Sequence, residues 1–567
     1  MSDAGRSGSY RYDPVPCFLS RYPRISRQNH HLAACAPTSS CLCLCAVSGS
    51  WLHASLCSLV RVYPCDLKTE DAHRTDLSSF LPRHLHYATI PVHKNAALLQ
   101  PEPGASQPRW PTILFSHGLG GNRNTYSYFA GSLASHGVIV VCPEHRDGSA
   151  AVSLIRVPEN QDAFFYRNTR RTVPYTSLPH VPSRETWAAR DRQLRIRLWE
   201  LGLSFEALLA IDGGDEKVAG ANMNKSTPQT AISQFAGLLD VQQPGRTIFA
   251  GHSFGAASVV QLLKSTYYAE RPEVSSMDKP LFAPTKNCGV RKQITNRSPI
   301  MLLDMWCLPL LSATPLCYLP LPMYDDTPSA PGGAALLAVE SEQFYQWTEH
   351  LHAKARIISP DPSSRVVSTA AFEQHKPDFP RPHFFHVDSS AHLSQSDFGI
   401  LFPWLTKRVF KAEQPERCLR LNLRAQLQFL RNNGYAVAGT WKGDLVDDAA
   451  AEKQNSCEVA ADGESSDRIH DDKAIFEHQA EGMVDAWGWV DIVGYGAEAG
   501  PNELERLAGA RSSSEERRAD EGERQMEGTM EPALATENTP GAAETVEKTA
   551  EKTAERAPSV GRAGVTS

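Results

Sequence analysis

The stretch Gly251-His252-Ser253-Phe254-Gly255 places a hydroxyl in a G-x-S-x-G pattern, the spacing of a nucleophile elbow. A serine hydroxyl is a weak nucleophile at neutral pH. It needs a base to take its proton, an acid to hold that base, and donors for the oxyanion that develops. In 567 residues the bare pattern is common by chance, so its flanks must carry the reading. Upstream, Thr247, Ile248, Phe249 and Ala250 form an apolar run led by the turn signal Pro244-Gly245. Downstream, Ala256, Val259, Val260, Leu262 and Leu263 recur at helical spacing. Strand, tight turn and helix predict Ser253 as the nucleophile, with glycines beside it because side chains would collide across so sharp a turn. The alternative is an ordinary Gly-rich loop.

Two earlier apolar runs, Thr112–Phe115 and Val138–Val141, flank a helical pattern with Tyr128 and Leu133. Strand, loop, helix, strand is the signature of a parallel sheet. The loop His117-Gly118-Leu119-Gly120-Gly121 follows the first run directly. In α/β-hydrolases such a loop supplies one oxyanion donor and the residue after the nucleophile supplies the other, which assigns the backbone N–H groups of Leu119 and Phe254. Next, Leu194, Leu198, Leu201, Phe205, Leu208 and Leu209 mark one stripe of a long amphipathic helix; its arginines read as a solvated face. Three further strand candidates, "SPIMLLDMW", "AALLAVESEQ" and "HFFHVDSSAHLSQSDF", follow the elbow helix. The order Ser, acid, His makes His392, in the loop after the last strand, the base. Asp304 ends the first of these strands, and Glu340 and Glu342 end the second. Pattern alone leaves the acid open between them.

The rest of the chain limits what else the protein could be. A net charge of −7 gives no broad pull toward nucleic acid, and neither a phosphate loop nor a paired C-x-x-C zinc pattern occurs. Seven of 13 cysteines lie in the opening 65 residues, so residues 1–55 read as a Cys-rich segment of uncertain order, neither a convincing metal site nor a disulfide scaffold. Apolar runs alternate with helical patterns over 56–437, the expected catalytic domain. Beyond 438 the acidic, low-hydropathy text predicts a mostly disordered tail, with one apolar island, Met483–Gly496, that reads either as a partner-binding segment or as local clustering. No clear signal peptide or spanning run is present, which favours a cytoplasmic or peripheral-membrane location. The run Cys307–Tyr324 is apolar but broken by four prolines. Its Leu310, Leu311, Leu316 and Leu319 read equally as an interfacial, acyl-binding lip or as a buried connection.

The motifs "FSHGLGG", "SHGVIVVCPEHRDGSA", "FAGHSFGAAS", "LLDMWCLPL" and "SSAHLSQSDF", in that order, resemble the platelet-activating factor acetylhydrolases, α/β-hydrolase phospholipases related to the plasma enzyme, and suggest a fungal-type member. The resemblance covers about residues 56–437. It implies an α/β-hydrolase fold, a mostly parallel central sheet with helices on both faces. It also implies hydrolysis of short or oxidised acyl esters at the second glycerol carbon of phospholipids, without metal or cofactor, with phospholipid as the partner at a membrane or lipoprotein surface. The family draws its acid from the strand directly after the elbow helix, which implies Asp304 with Glu340 in reserve, beside Ser253 and His392, and places the oxyanion donors at Leu119 and Phe254. A soluble carboxylesterase or cutinase-like hydrolase would share these residues. A non-enzymatic binding protein of the same fold is the more distant alternative.

Overall fold

A computed structural model describes residues 90, 92, 95–101, 109–156, 170–224, 227–228, 230–312, 315–363, 380–412, 414–445, 468–476 and 487–490. The Cys-rich segment 1–55, the start of the expected domain at 56 and the tail beyond 490 lie outside the described residues.

Each apolar run of the sequence becomes a strand of one sheet. The strands are β1 (Thr112–Ser116), β2 (Ile139–Val141), β5 (Ile248–His252), β6 (Ile300–Leu303), β7 (Leu336–Ser341), β8 (His383–Val387) and β11 (Trp487–Trp489), in the order β11-β8-β7-β6-β5-β1-β2. From β2 to β8 every pairing is parallel. A hairpin, β3 (Val152–Arg156) with β4 (Arg170–Pro174), and a two-strand pair, β9 (Thr440–Trp441) with β10 (Arg468–Ile469), stand apart from the sheet.

Alternation explains why these strands are largely apolar on both faces. Leu114, Phe249, Ile300, Leu302, Leu336, Ala338 and Phe384 face one core, and Ile113, Phe115, Ile248, Ala250, Met301, Leu303, Leu337, Val339 and Phe385 face the other. A parallel sheet covered on both sides has no solvent face to leave polar. The first core is closed by α2 (Arg184–Asp212) through Leu194, Leu198, Leu201, Phe205 and Leu208, and by α3 (Phe254–Tyr267). The second is closed by α1 (Ser127–Ala134) and α5 (Pro415–Asn432); α4 (Thr348–Ile357) lies between β7 and β8 in the chain. The chain runs outward from β1 to β2 and resumes at β5 on the other side of β1, so the carboxyl ends of β1 and β5 meet at a topological switch point.

The end of the domain differs from expectation. Residues expected in a disordered tail after 437 pack against the fold: Arg424 of α5 holds Asp472 through two hydrogen bonds of 2.8 and 2.9 Å. Part of the apolar island pairs antiparallel with β8 as β11, Trp487 opposite Val387 and Trp489 opposite Phe385. Averaged hydropathy hid these short buried points among charged neighbours. In the run Cys307–Tyr324, Leu310 and Leu316 are buried and Leu311 and Leu319 half-buried, and three short 3-10 turns carry its described residues, which fits the reading as a buried connection. Among the described residues no helix is long and apolar enough to cross a membrane.

Trp487 is buried with its ring 5.0 Å from that of Phe385. Trp487→Ala is therefore expected to cost about 3–5 kcal/mol in urea unfolding; an unchanged midpoint would mean that β11 contributes nothing to the domain.

Candidate active site

Ser253 sits where β5 turns into α3, at φ 55° and ψ −122°, a backbone conformation that costs of order 1–3 kcal/mol for a residue with a Cβ. Its N–H donates to Leu303 O at 2.9 Å, and its carbonyl accepts from Trp306 N at 3.2 Å. The flanking glycines are dictated by approach: a Cβ on Gly255 would lie 2.0 Å from Ser116 O and one on Gly251 2.5 Å from the Gly255 backbone. Gly118 lies against the same turn, where a Cβ would stand 3.0 Å from that of Ser253. The loop after β1 is thereby brought beside the serine. Within it Gly118 N donates to Tyr126 Oη at 3.0 Å and Gly120 N to Ser149 O at 2.8 Å. Leu119 N–H, between them, makes no hydrogen bond among the described residues. Phe254 is the first residue of α3, so its N–H has no acceptor within the helix.

The structure brings Asp304 and His392 together. His392, in the 3-10 turn after β8, presents Nδ1 to Asp304 Oδ2 at 3.0 Å. Facing a carboxylate, that nitrogen carries the proton, which leaves Nε2 as the acceptor. The ring is sandwiched, stacked on Phe344 at 4.1 Å and tilted against His252 at 4.4 Å. Asp304 is fully buried and takes two further hydrogen bonds, from Ser341 N (2.6 Å) and Ser341 Oγ (2.7 Å). Burial pushes its carboxyl up, but the hydrogen bond and charge of His392, with Lys354 beyond, hold it below the usual carboxylate range. Glu340, the reserve acid, points elsewhere: it pairs with Lys354 of α4 in a wholly buried contact. Burial pushes it up to about 8, Lys354 opposing and Asp304 adding to the rise. Glu342 instead accepts from Ser389 N at 2.6 Å and so holds the loop that leads to His392.

Several contributors were not legible in the sequence. His252 passes from its Nδ1 to Tyr126 Oη at 2.8 Å, and Tyr126 Oη accepts from Gly118, so one hydroxyl joins the elbow to the oxyanion loop. Burial and then the nearby His392 push His252 far below the ordinary histidine range. It stays neutral beside an imidazole that must become cationic. The arginines of α2, expected on a solvated face, divide: Arg192 is exposed, whereas Arg190 and Arg197 are wholly buried. His252, Asp304 and His392 offer ligand atoms within 4.8 Å of one another, a set chemically able to hold a metal ion. Here His392 Nδ1 and Asp304 Oδ2 are engaged with each other and His252 Nδ1 with Tyr126.

The family profile for platelet-activating factor acetylhydrolase, isoform II, matches residues 71–448. The chain belongs to that family. A putative phospholipase A2 of Schizosaccharomyces pombe is 27% identical over 61% of this chain and 72% of its own length. The platelet-activating factor acetylhydrolase of Cavia porcellus is 37% identical over 27% of this chain and 32% of its own, and that of Gallus gallus 26% identical over 61% and 65%. The chain thus spans less than two thirds of the length of these two animal enzymes. All five positions singled out, Leu119, Ser253, Phe254, Asp304 and His392, fall inside the family match.

Tyr126→Phe removes the hydroxyl and leaves Gly118 N–H and His252 Nδ1 without it. A loss of about 1–3 kcal/mol is expected in denaturant unfolding, and an unaltered stability would show that the bridge is not made.

Proposed function

We propose that the protein is a serine-dependent phospholipid ester hydrolase that releases a short or oxidised acyl group from the second glycerol carbon, the reaction of a 1-alkyl-2-acetylglycerophosphocholine esterase. One observation carries the reading: the buried Asp304 Oδ2 holds His392 Nδ1 at 3.0 Å, and the His392 ring packs 4.4 Å from that of His252, the residue before the strained Ser253. Ser253 Oγ attacks the acyl carbonyl while His392 Nε2 takes its proton. The tetrahedral oxyanion sits on the N–H groups of Leu119 and Phe254, each worth about 3–4 kcal/mol in a comparable hydrolase. The ester C–O bond breaks as His392 returns the proton to the departing lysophospholipid oxygen. Water then attacks the acyl carbon on Ser253 Oγ while His392 takes its proton, and as the acyl–Oγ bond breaks His392 returns that proton to Ser253 Oγ and the acid leaves. Asp304 stays ionised throughout, orienting the imidazole and stabilising its cation. The substrate class is supported by family membership and by relatives named for phospholipid hydrolysis, since the triad alone serves many acyl groups.

Release of acetate from a 2-acetyl phosphocholine ether lipid tests this. Ser253→Ala and Asp304→Asn are each expected to lower kcat by about 10³-fold or more, and Glu340→Gln by less than about tenfold, because Glu340 meets Lys354 and not His392. A folded wild type that hydrolyses p-nitrophenyl acetate but not this lipid would overturn the substrate class. Turnover surviving in Ser253→Ala would overturn the serine mechanism.

A further inference from the structure

The loop carrying Leu119 is gripped on both sides of that residue by one buried cluster. Before it, the His117 carbonyl accepts from Arg197 Nη1 at 2.8 Å. After it, Gly120 N–H donates to the Ser149 carbonyl at 2.8 Å. The two grips meet in the same guanidinium: Arg197 Nη2 donates to Ser149 Oγ at 2.5 Å and Nε to Asp147 Oδ2 at 2.7 Å, while Ser149 Oγ–H closes the ring onto Asp147 Oδ1 at 2.5 Å. Arg197 also reaches the other donor's helix. Its guanidinium carbon lies 4.3 Å from the centre of the Phe254 ring, and Nη1 stands 3.4 Å from Ser258 Oγ, which itself donates to Phe254 O at 2.7 Å.

Neither Arg197 nor Asp147 has any side-chain exposure. A buried ion pair of this kind is about as stable as a well-packed apolar replacement, so its stability does not explain its place. What it touches does: His117, two residues before Leu119, then Ser149, whose carbonyl holds Gly120 N–H just after Leu119, and the first turn of the helix that begins with Phe254. We propose that Arg197, with Asp147 and Ser149, is the positioning residue of the oxyanion hole, fixing the Leu119 and Phe254 N–H groups at the spacing that the tetrahedral oxyanion requires. This rests on the serine mechanism proposed above and adds the device that presets its electrostatic site. The fork is what matters, because a lysine in the same place could reach one acceptor but not brace His117 O, Ser149 Oγ and Asp147 together.

The test uses the full chain and p-nitrophenyl acetate, so it does not depend on the lipid substrate. Arg197→Lys and Ser149→Ala are compared with wild type and with the exposed control Arg192→Met for kcat, KM and inhibition by a trifluoromethyl ketone. That ketone's carbonyl carbon bonds to Ser253 Oγ and leaves its oxygen as an anion in the hole. Both cluster variants are expected to lose about 10–100-fold in kcat with KM within about threefold, and ketone affinity is expected to fall by a similar factor. Arg192→Met should match wild type. A folded Arg197→Lys or Ser149→Ala that is less stable yet keeps kcat and ketone affinity would overturn the proposal and leave the cluster purely structural. A rise in KM alone would overturn it as well. If Arg197→Lys does not fold, Ser149→Ala decides the matter, since it deletes one hydroxyl. A wild type without Ser253-dependent turnover fails differently: it removes the serine mechanism itself.

Discussion

Helix α3 begins so close to the end of β1 that the Gly255 backbone occupies space where a Cβ would lie 2.0 Å from Ser116 O. That approach forces the turn at Ser253 into positive φ, and lifts the serine above the carboxyl edge of the sheet beside the loop 117–120. The strain, of order 1–3 kcal/mol, is tolerable because the strand below and the helix above are packed into the two cores that lie on either side of the sheet. Asp304 repeats the device more mildly. It leaves β6 at φ 42°, is held by its own N–H to Val339 O at 2.8 Å, and so turns its carboxylate toward the neighbouring strand end.

The other constraint is charge without water. Asp304, Glu340 with Lys354, and Asp147 with Arg197 are all buried around the same strand ends. Pairs of this kind add little net stability over apolar residues, yet breaking one leaves an uncompensated charge. Their effect is to permit few geometries. Ser341 shows how tightly the arrangement is packed: its N–H and Oγ–H both go to Asp304, and Ser390 Oγ accepts from Glu342 N next to it. Held by one Ser341 hydrogen bond on each oxygen, the Asp304 carboxylate is fixed in place and accepts from His392 on Oδ2.

How much of this could be read from the chain followed the range of the interaction. The elbow is local, and Thr247–Ala250, Ser253 and the helix after it were legible because strand, turn and helix lie within twenty residues. The parallel sheet was legible because doubly covered strands are largely apolar on both faces. The carboxylate that meets His392 was not legible in the residue pattern, since Asp304, Glu340 and Glu342 all end strands; the family resemblance pointed to Asp304, and the structure places Asp304 against His392. Arg197 was misread for a related reason: a helical wheel counts arginine as polar, and nothing nearby in sequence reveals that its partners lie 50 residues away at Asp147 and 80 at His117. Asp472 was hidden by the acidic stretch around it, and Trp487, although it stood out within the apolar island Met483–Gly496, gave no sign that its partner is β8.

These threads meet at His392. In the proposed reaction its ring would hold a positive charge between an aromatic face, Phe344, and a second imidazole, His252. A protonated His252 would repel that charge at 4.4 Å in a medium where little water screens it, so the site works only if His252 remains neutral. Burial achieves this, and Tyr126 makes the neutral form useful by giving its Nδ1 a hydroxyl partner that also secures Gly118. His252 therefore does two things at once: it packs against the His392 ring, and through Tyr126 it ties the turn at Ser253 to the loop that carries Gly118 and Leu119.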